Sequence, residues 1–317
     1  MTREAALGPL FFFAGNAMGI CAKADAYLRP EGMNMRLLAF GGDRRMEGAL
    51  AAARRAGWET AHIREEAQQA IGEFDAAMLP WPRSFEGGRL IGGGLDRARV
   101  LEMADSAALV LHGRDVAARE MRNPACSFLP DEDETFLRVN ARLTAEGAIA
   151  RAMQTMDRAL LGSTVLVTGF GRIAQELVMR LTAMGAFVIV CARSEAQMRL
   201  AHAMGAHPVP LAQIVPACAQ ADVIFNTVPA QIIGADALQA LGQDTPLIEL
   251  ASAPYGCNEE LASRLGVRVR IEGGLPGRYA PMEAGDALFG ALERAFSARK
   301  KDGREGGKQG DEGDDES

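Results

Sequence analysis

The segment TVLVTGFGRIA at residues 164–174 decides the fold of this chain. Its first five residues predict a buried strand, and Gly169, Gly171 and Ala174 follow at G-x-G-x-x-A spacing, directly before an amphipathic helix. The first glycine permits a tight turn, the second lets a pyrophosphate approach the backbone, and the alanine permits close helix packing. An isolated glycine pair is also typical of an ordinary turn. In this context, however, the segment predicts a Rossmann domain that binds a nicotinamide dinucleotide at a helix N-terminus.

The strand after this helix ends without the acidic residue that holds the ribose of NAD in many Rossmann domains. Arg193 and Ser194 stand there instead. A guanidinium and a hydroxyl suit a 2′-phosphate, which a carboxylate would repel, so we predict NADP, with NAD less favoured. The alternative is a solvent-exposed arginine that begins a helix. The predicted cofactor contacts are Gly169, Phe170, Gly171, Arg172, Ile173, Ala192, Arg193, Ser194, Thr227, Val228, Pro229 and Ser252.

Strands alternate with helices on both sides of this segment, which predicts parallel sheets covered by helices. With 317 residues the chain is long enough for two domains. We therefore predict an α/β fold of two Rossmann-like domains, each with a mainly parallel sheet, joined by a long crossing helix. The predicted strands cover residues 35–40, 59–63, 75–79 and 107–111, then 164–168, 187–191, 223–226, 247–250 and 267–271.

The domain boundaries follow from the same pattern. We predict an N-terminal substrate domain over residues 35–139 and an NAD(P)-binding domain over residues 140–298. The second domain is expected to close with a last helix that carries Leu288, Phe289, Leu292 and Phe296. Residues 1–34 are interpreted as a disordered leader or a start codon placed too early. Residues 299–317 are charged and lack large apolar side chains, which predicts a disordered tail.

Composition argues against several classes of function. The net charge of -7 gives no basic footprint for nucleic acid or for an anionic membrane. No stretch approaches the ~20 apolar residues that a membrane helix needs. Five cysteines and four histidines are scattered without zinc or disulfide spacing, so we predict no metal and a reducing, cytoplasmic location.

A substrate is predicted to bind where strands of the first domain end. Asp43 and Arg44 follow the first strand, and Ser84 follows the third. Residues 273–281 are rich in glycine and proline and predict a shaped loop, in which Arg278 could hold a substrate carboxylate. Each of these residues could instead be a turn or solvent-exposed residue. The candidate catalytic bases are Glu146, Asp43 and His112, each set against a capping or solvated role.

Seven motifs occur in a recognisable order. They are Gly41-Gly42-Asp43, Glu146-Gly147, Gly169-Phe170-Gly171, Ala192-Arg193-Ser194, residues 226–229, residues 251–254, and residues 274–277 with Ala280-Pro281. Together they resemble the family of dipicolinate synthase A subunits, most closely over residues 144–295. The resemblance implies NADP-dependent oxidation of a dihydrodipicolinate-type ring to dipicolinate, in the mother cell of a sporulating bacterium. It also implies a flavoprotein-like B subunit as partner, and we further expect a homo-oligomer.

Two positions depart from the family pattern. Tyr255-Gly256-Cys257 stands where paired glycines are typical, and Glu283 stands where threonine is usual. A carboxylate at residue 283 would repel an anionic substrate if it faced the cleft. Two alternative functions stay open: another NADP-dependent oxidoreductase of a small acid, resembling shikimate or alanine dehydrogenases, and a non-catalytic nucleotide-binding regulatory subunit. Turnover of a small acid by the chain alone would favour the first, and cofactor binding without turnover would favour the second.

Overall fold

The computed structural model describes residues 35–68 and 71–308, so the predicted leader and residues 309–317 lie outside the described residues. The strands are β1 (Arg36–Phe40), β2 (Glu59–Ile63), β3 (Ala76–Met78), β4 (Phe85–Glu86), β5 (Arg89–Leu90), β6 (Leu109–Leu111), β7 (Ser127–Phe128), β8 (Thr164–Thr168), β9 (Phe187–Ala192), β10 (His207–Pro210), β11 (Val223–Asn226), β12 (Leu247–Glu249) and β13 (Val269–Ile271). The helices are α1 (Arg44–Arg55), α2 (Arg97–Ala104), α3 (Glu134–Thr155), α4 (Arg172–Ala183), α5 (Glu195–Ala203), α6 (Ile214–Gln220), α7 (Ala235–Gln239), α8 (Glu259–Arg264), α9 (Leu275–Tyr279) and α10 (Pro281–Lys308).

The first sheet has five parallel strands in the order β2-β1-β3-β6-β7. Successive residues of β1 alternate between two cores: Leu37 and Ala39 pack with α1, whereas Leu38 and Phe40 pack with α2. Both faces are buried, which explains why the central strand is apolar along its whole length. The strand order reverses between β1 and β3, and open α/β sheets bind ligands at such switch points.

The second sheet has six parallel strands in the order β10-β9-β8-β11-β12-β13. Val165 and Val167 of β8 pack with α3 and α4 on one face, and Leu166 packs with α6 on the other. The switch point of this sheet lies between β8 and β11. It therefore falls where the glycine turn after β8 meets the loop after β11.

Helix α3 crosses from the first sheet to the second over 22 residues. Asp133 begins it, because its carboxylate accepts a hydrogen bond from the backbone N–H of Phe136 at 2.7 Å. Phe136 packs in the core of the first sheet, whereas Ala145 and Ala148 pack in the core of the second. The predicted α/β class, with two mainly parallel sheets and a long crossing helix, is confirmed.

The last helix lies elsewhere than predicted. Its apolar residues Leu288, Phe289, Leu292 and Phe296 pack into the core of the first sheet instead of closing the NAD(P)-binding half. The rings of Phe289 and Phe296 meet Trp58 edge-on, at centroid distances of 5.6 and 5.5 Å. Glycines let α10 approach α1 closely: a Cβ on Gly285 would overlap the carbonyl oxygen of Arg45. The chain therefore crosses twice between the two halves.

The disordered tail predicted from residue 299 is wrong for residues 299–308, because α10 runs to Lys308. Arg299 donates hydrogen bonds to the carbonyl oxygens of Ala108 and Ser127, at 3.2 and 3.0 Å, and so ties the helix to the first sheet. Arginine and lysine are good helix formers, so a charged composition alone did not decide between helix and disorder.

Several short elements were not predicted. Strand β10 reads HPVP, and its prolines argue against a strand, but it lies at the sheet edge and pairs only with β9. The two-residue strands β4, β5 and β7 are too short to show a period. Helix α9 replaces the loop predicted at residues 273–281: Gly274 turns the chain with φ 66°, and Pro276 sits in the first turn, where no N–H is needed.

Candidate functional site

The glycine turn after β8 fits a pyrophosphate. Gly169 adopts φ 81°, and a Cβ there would lie 2.7 Å from Cγ2 of Val228, so only glycine is accommodated. Gly171 is the N-cap of α4 and offers no capping side chain, while a Cβ built on it would meet nothing within 4 Å. The first N–H groups of α4 thus border an open space without a side-chain acceptor, which is the arrangement that binds phosphate at a helix N-terminus.

A cavity of about 170 Å³ lies against this turn, at the switch point of the second sheet. Eight of the predicted cofactor residues line it: Gly169, Phe170, Gly171, Ala192, Arg193, Thr227, Val228 and Pro229. Four further lining residues were missed by the sequence reasoning: Cys191, Gln197, Leu211 and Ile232. The missed residues come from β9, from α5 and from connections without a motif, so no sequence signal marked them.

The other four predicted cofactor residues have different surroundings. Arg172 turns its guanidinium to Glu134 of α3, with 2.6 Å between Nη2 and Oε2. Ile173 packs against the core of the second sheet, and Ser252 is exposed on the loop after β12. Ser194 is the N-cap of α5, and its hydroxyl accepts a hydrogen bond from the N–H of Gln197 at 3.2 Å.

The end of β9 carries a cationic side chain next to a helix start. Arg193 is exposed, lines the cavity and makes no ion pair within the described part of the chain. Glu195, the nearest acidic residue in sequence, instead pairs with Arg199 at 3.3 Å. The region where a ribose-binding carboxylate would be expected therefore presents an arginine and the first N–H groups of α5.

A buried polar network supports the cavity wall. Asn226 is fully buried at the end of β11. Its Oδ1 accepts a hydrogen bond from the hydroxyl of Thr168 and a second one, of 3.2 Å, from the N–H of Val228. Its Nδ2 donates to the carbonyl oxygen of Val228 at 2.9 Å and to Oε1 of Glu249 at 2.7 Å. Glu249 was not predicted as a site residue, because an isolated glutamate at a strand end carries no motif.

A second cavity, of about 210 Å³, lies at the switch point of the first sheet. Its lining includes Asp43, Arg45 and Trp81. Asp43 caps α1 and binds Arg45 through both carboxylate oxygens, at 2.8 to 3.0 Å. Arg45 also borders Gly277, whose added Cβ would lie 2.8 Å from the arginine Nε. The segment after β13 of the second sheet thus meets the switch point of the first.

Three predicted substrate contacts differ from expectation. Arg44 is exposed and does not line the cavity; its neighbour Arg45 does. Ser84 is fully buried: its hydroxyl donates to the carbonyl oxygen of Pro80 at 2.9 Å and accepts from the N–H of Gly113 at 2.8 Å, so it braces a loop. Arg278 is half exposed and pairs with the buried carboxylate of Glu272.

Glu272 is shared by two arginines, Arg151 of α3 and Arg278 of α9. Burial alone would raise the pKa of Glu272, but the hydrogen bonds and charges of both guanidinium groups outweigh burial and lower it. The cluster therefore keeps one excess positive charge. Glu283, which departs from the family pattern, is exposed on the first turn of α10.

The three candidate bases do not come together around one cavity. Asp43 alone lines the second cavity; burial would raise its pKa, but the hydrogen bonds and charge of Arg45 lower it. Glu146 is exposed and pairs with Arg180 at 3.2 Å. His112 is buried: one ring nitrogen lies 2.9 Å from the carbonyl oxygen of Gly113 and the other 2.7 Å from the hydroxyl of Ser127. Burial lowers the pKa of His112, so it is a neutral structural residue at neutral pH.

Residues 35–68 and 71–308 contain neither a metal cluster nor a membrane span. No group of three or more His, Cys, Asp or Glu side chains in these ranges could hold a metal ion. None of the helices there has the length and apolarity that would be needed to cross a membrane.

Residues 135–267 match the family model described as the D-isomer specific 2-hydroxyacid dehydrogenase, NAD binding domain. This match covers β8, the glycine turn, α4 and the end of β9. It supports the predicted nicotinamide dinucleotide cofactor in its general form.

Comparison with curated proteins finds the dipicolinate synthase A subunit of Bacillus subtilis (strain 168), which is 31% identical over 183 residues. The aligned region is 58% of this chain and 61% of that relative's length. The structure of the dipicolinate synthase A subunit from Bacillus halodurans has a TM-score of 0.74 at 24% identity, covering 83% of this chain and 98% of that one. For the A chain from Bacillus subtilis the TM-score is 0.73 at 22% identity, covering 85% and 98%. The two structures share the fold, and the predicted resemblance to the A subunit of dipicolinate synthase is confirmed.

Proposed function

We propose that the chain is an NADP-dependent oxidoreductase that acts, together with a B subunit, in the oxidation of a dihydrodipicolinate-type ring to dipicolinate. The single observation that carries this proposal is the cavity at the glycine turn, which continues to Arg193, an arginine with which no described residue makes an ion pair, and has no acidic residue at the end of β9. The product and the need for a partner follow from the similarity to one subunit of a dipicolinate synthase. We further propose residues 35–139 as the substrate domain and residues 140–298 as the NAD(P)-binding domain, except that α10 within the latter range packs on the first sheet. We also propose a homo-oligomeric assembly and a cytoplasmic location.

The proposed cofactor contacts divide by the part of NADP that each would hold. The turn at Gly169 and Gly171 and the first N–H groups of α4 bind the pyrophosphate. Arg193 and the start of α5 bind the 2′-phosphate, since a guanidinium matches phosphate geometry. The oxidised cofactor supplies a hydride acceptor, and the chain supplies its orientation and the exclusion of water.

The second cavity is the proposed substrate site. Arg45 is held in a fixed direction by Asp43 and has only 16% of its side chain exposed, so it is preorganised for a carboxylate. We propose the exposed part of Arg278 as a second cationic group, because Arg278 follows Gly277, which borders Arg45, and shares Glu272 with Arg151. Two charge-assisted contacts suit a dicarboxylate better than a neutral ring.

Asp43 is the proposed proton acceptor, because among the three candidate bases it alone lines this cavity. Its lowered pKa keeps the carboxylate ionised at neutral pH, although it also makes the group a weak base. A weak base suffices where formation of an aromatic ring drives the reaction.

The test mixes purified chain, the B subunit, NADP+ and freshly made precursor, and follows NADPH absorbance together with dipicolinate by terbium luminescence. We expect both signals to rise above the spontaneous background, and to rise further with the B subunit than without it. Tight NADPH binding with neither signal above background would contradict the dehydrogenase and favour the non-catalytic regulatory role. Turnover of a different small acid by the chain alone would instead favour another NADP-dependent oxidoreductase.

A further inference from the structure

Glu249 is a buried carboxylate without a cationic partner. It ends β12 with 1% of its surface exposed, and no arginine, lysine or histidine of the described chain pairs with it. Its hydrogen-bond partners are all donors: Nδ2 of Asn226 at 2.7 Å, the N–H of Ala251 at 2.9 Å and the N–H of Gly256 at 2.7 Å. Three donors and no acceptor suit the ionised form, whose negative charge would have no cationic partner among the described residues.

This carboxylate is connected to the cofactor cavity on two sides. On one side it fixes Asn226, which binds both the N–H and the carbonyl oxygen of Val228 in the cavity wall. On the other side it fixes Gly256, whose carbonyl oxygen accepts from the N–H of Ile233 at 2.8 Å, next in the chain to Ile232, which lines the cavity. Gly256 must be glycine, because an added Cβ would overlap Nδ2 of Asn226. Glu249 therefore organises both loops that follow β11 and β12.

Burial raises the pKa of Glu249, while the hydrogen bonds from Gly256, Asn226 and Ala251 oppose that rise. Keeping an ionised carboxylate in this position thus costs folding free energy, and a glutamine of the same shape would avoid that cost. A carboxylate at the ligand-binding edge of a sheet, without a cationic partner among the described residues, points to a cation that arrives with the ligand.

We propose that Glu249 is a positioning residue of the cofactor cavity whose buried charge favours the oxidised, positively charged nicotinamide over the neutral reduced form. This inference rests on the proposed function, because it assumes that a nicotinamide dinucleotide occupies the cavity. A protein prefers one of two forms of a ligand only if it interacts differently with them. The oxidised and reduced nicotinamide rings differ in charge, and a nearby carboxylate would interact with that difference. The bias has the direction that an oxidising enzyme needs.

The experiment measures dissociation constants of NADP+ and NADPH by titration calorimetry for the wild type and for Glu249→Gln. We expect the variant to bind NADP+ about fivefold to tenfold more weakly while NADPH changes less than about twofold, as expected for loss of one charge in a medium of intermediate dielectric constant. Glu249→Asp keeps the charge and should retain the wild-type ratio even if both affinities fall. Equal weakening of both forms in Glu249→Gln, or the same ratio change in Glu249→Asp, would overturn the proposal.

The matched control is Asp222→Asn. Asp222 lies at the opposite, amino end of the same sheet, where it accepts from the N–H of Thr164 at 2.8 Å and pairs with Arg158. Its loss should lower the melting temperature without changing the NADP+ to NADPH ratio. Should Glu249→Gln fail to fold, the wild type still decides: tighter binding of NADPH than of NADP+ would refute the bias. A wild type that binds neither form would refute the proposed function itself.

Discussion

Two glycines of the same turn have different physical reasons to be glycine. Gly169 is required by the fold, since its backbone is left-handed and its Cβ position is occupied by Val228. Gly171 has an ordinary extended backbone, with φ -82°, and open space at its Cβ position. The fold therefore does not require glycine at residue 171, whereas a ligand that approaches this backbone would.

We expect Gly171→Val to keep the fold and lose the cofactor. An added Cβ meets no described atom within 4 Å, and the valine side chain would occupy the proposed phosphate position, so binding of either cofactor should weaken by about tenfold or more. Thermal melting and calorimetric titration check the two parts of this prediction. Gly169→Ala is the contrasting variant: its left-handed backbone should cost about 1 to 2 kcal/mol of unfolding free energy, before any clash with Val228. Valine is a poorer N-cap residue than glycine, so a loss of about 1 kcal/mol is expected at the start of α4; a much larger loss of stability would contradict the assignment.

Arg193→Ala should separate the two cofactors. Removing a hydrogen-bonded charge next to a phosphate should weaken NADP(H) by about tenfold, whereas NAD(H) lacks that phosphate and should change little. Arg199→Ala, within α5 and paired with Glu195, is the control that should affect neither cofactor. Equal losses for NADP(H) and NAD(H) would rule out contact between Arg193 and the 2′-phosphate.

At the residue scale, the sequence predicted backbone roles better than side-chain roles. The glycine turn was predictable because its geometry is local. The sequence did not predict that Arg45, instead of Arg44, lines the second cavity. This depends on the ion pair with Asp43 and on the contact with Gly277, which lies far along the chain. Tyr255 illustrates the same limit: it adopts φ 53°, the left-handed region that suits the glycine expected there from the family resemblance.

At the scale of elements, the strongly periodic strands and helices were predictable, and their partners were not. The nine predicted strands all exist, with bounds within two residues of β1, β2, β3, β6, β8, β9, β11, β12 and β13. The apolar face of α10 was also predicted, but an apolar face shows only that a helix is covered. It does not show which core covers it, and here that core belongs to the first sheet.

Phe289→Ala tests that placement of α10. The side chain is buried against Trp58, so its removal should lower the unfolding free energy by about 3 to 5 kcal/mol. Urea denaturation followed by tryptophan fluorescence should report the change directly. Met282→Ala, at a position 40% exposed on the same helix, should stay within about 0.5 kcal/mol of the wild type. A small effect of Phe289→Ala would contradict the packing of α10 on the first sheet.

At the scale of the whole molecule, stability should fall as the pH drops below 6.5. Burial lowers the pKa of His112 and of His62 in the folded chain, whereas the unfolded chain keeps the ordinary value of 6.5. The unfolded state therefore binds more protons below that pH, which stabilises it relative to the folded state. Carboxylates with lowered pKa values, such as Asp43, add a second loss at more acidic pH.

Urea denaturation at pH 8, 6 and 5, compared between the wild type and His112→Gln, measures this effect. Glutamine can still donate and accept hydrogen bonds but does not titrate, so the loss between pH 8 and 5 should become smaller. The exposed His202→Gln serves as the control and should keep the wild-type pH dependence. An unchanged slope in His112→Gln would show that His112 does not contribute.

The α/β fold class of the molecule was predictable from the sequence, because alternating strands and helices allow few other arrangements. The double crossing was not, because it arises from a contact between α1 and α10, which are separated by most of the chain.

That double crossing has a mechanical consequence. The two halves are joined by two connections, α3 in one direction and α9–α10 in the other. Both connections act as hinges, so the halves should rotate most easily about the line that passes through both. Rotation about any other axis would deform both connections at once. Rotation about this axis would move the two switch points apart, and the reverse rotation would return them to the same relative position.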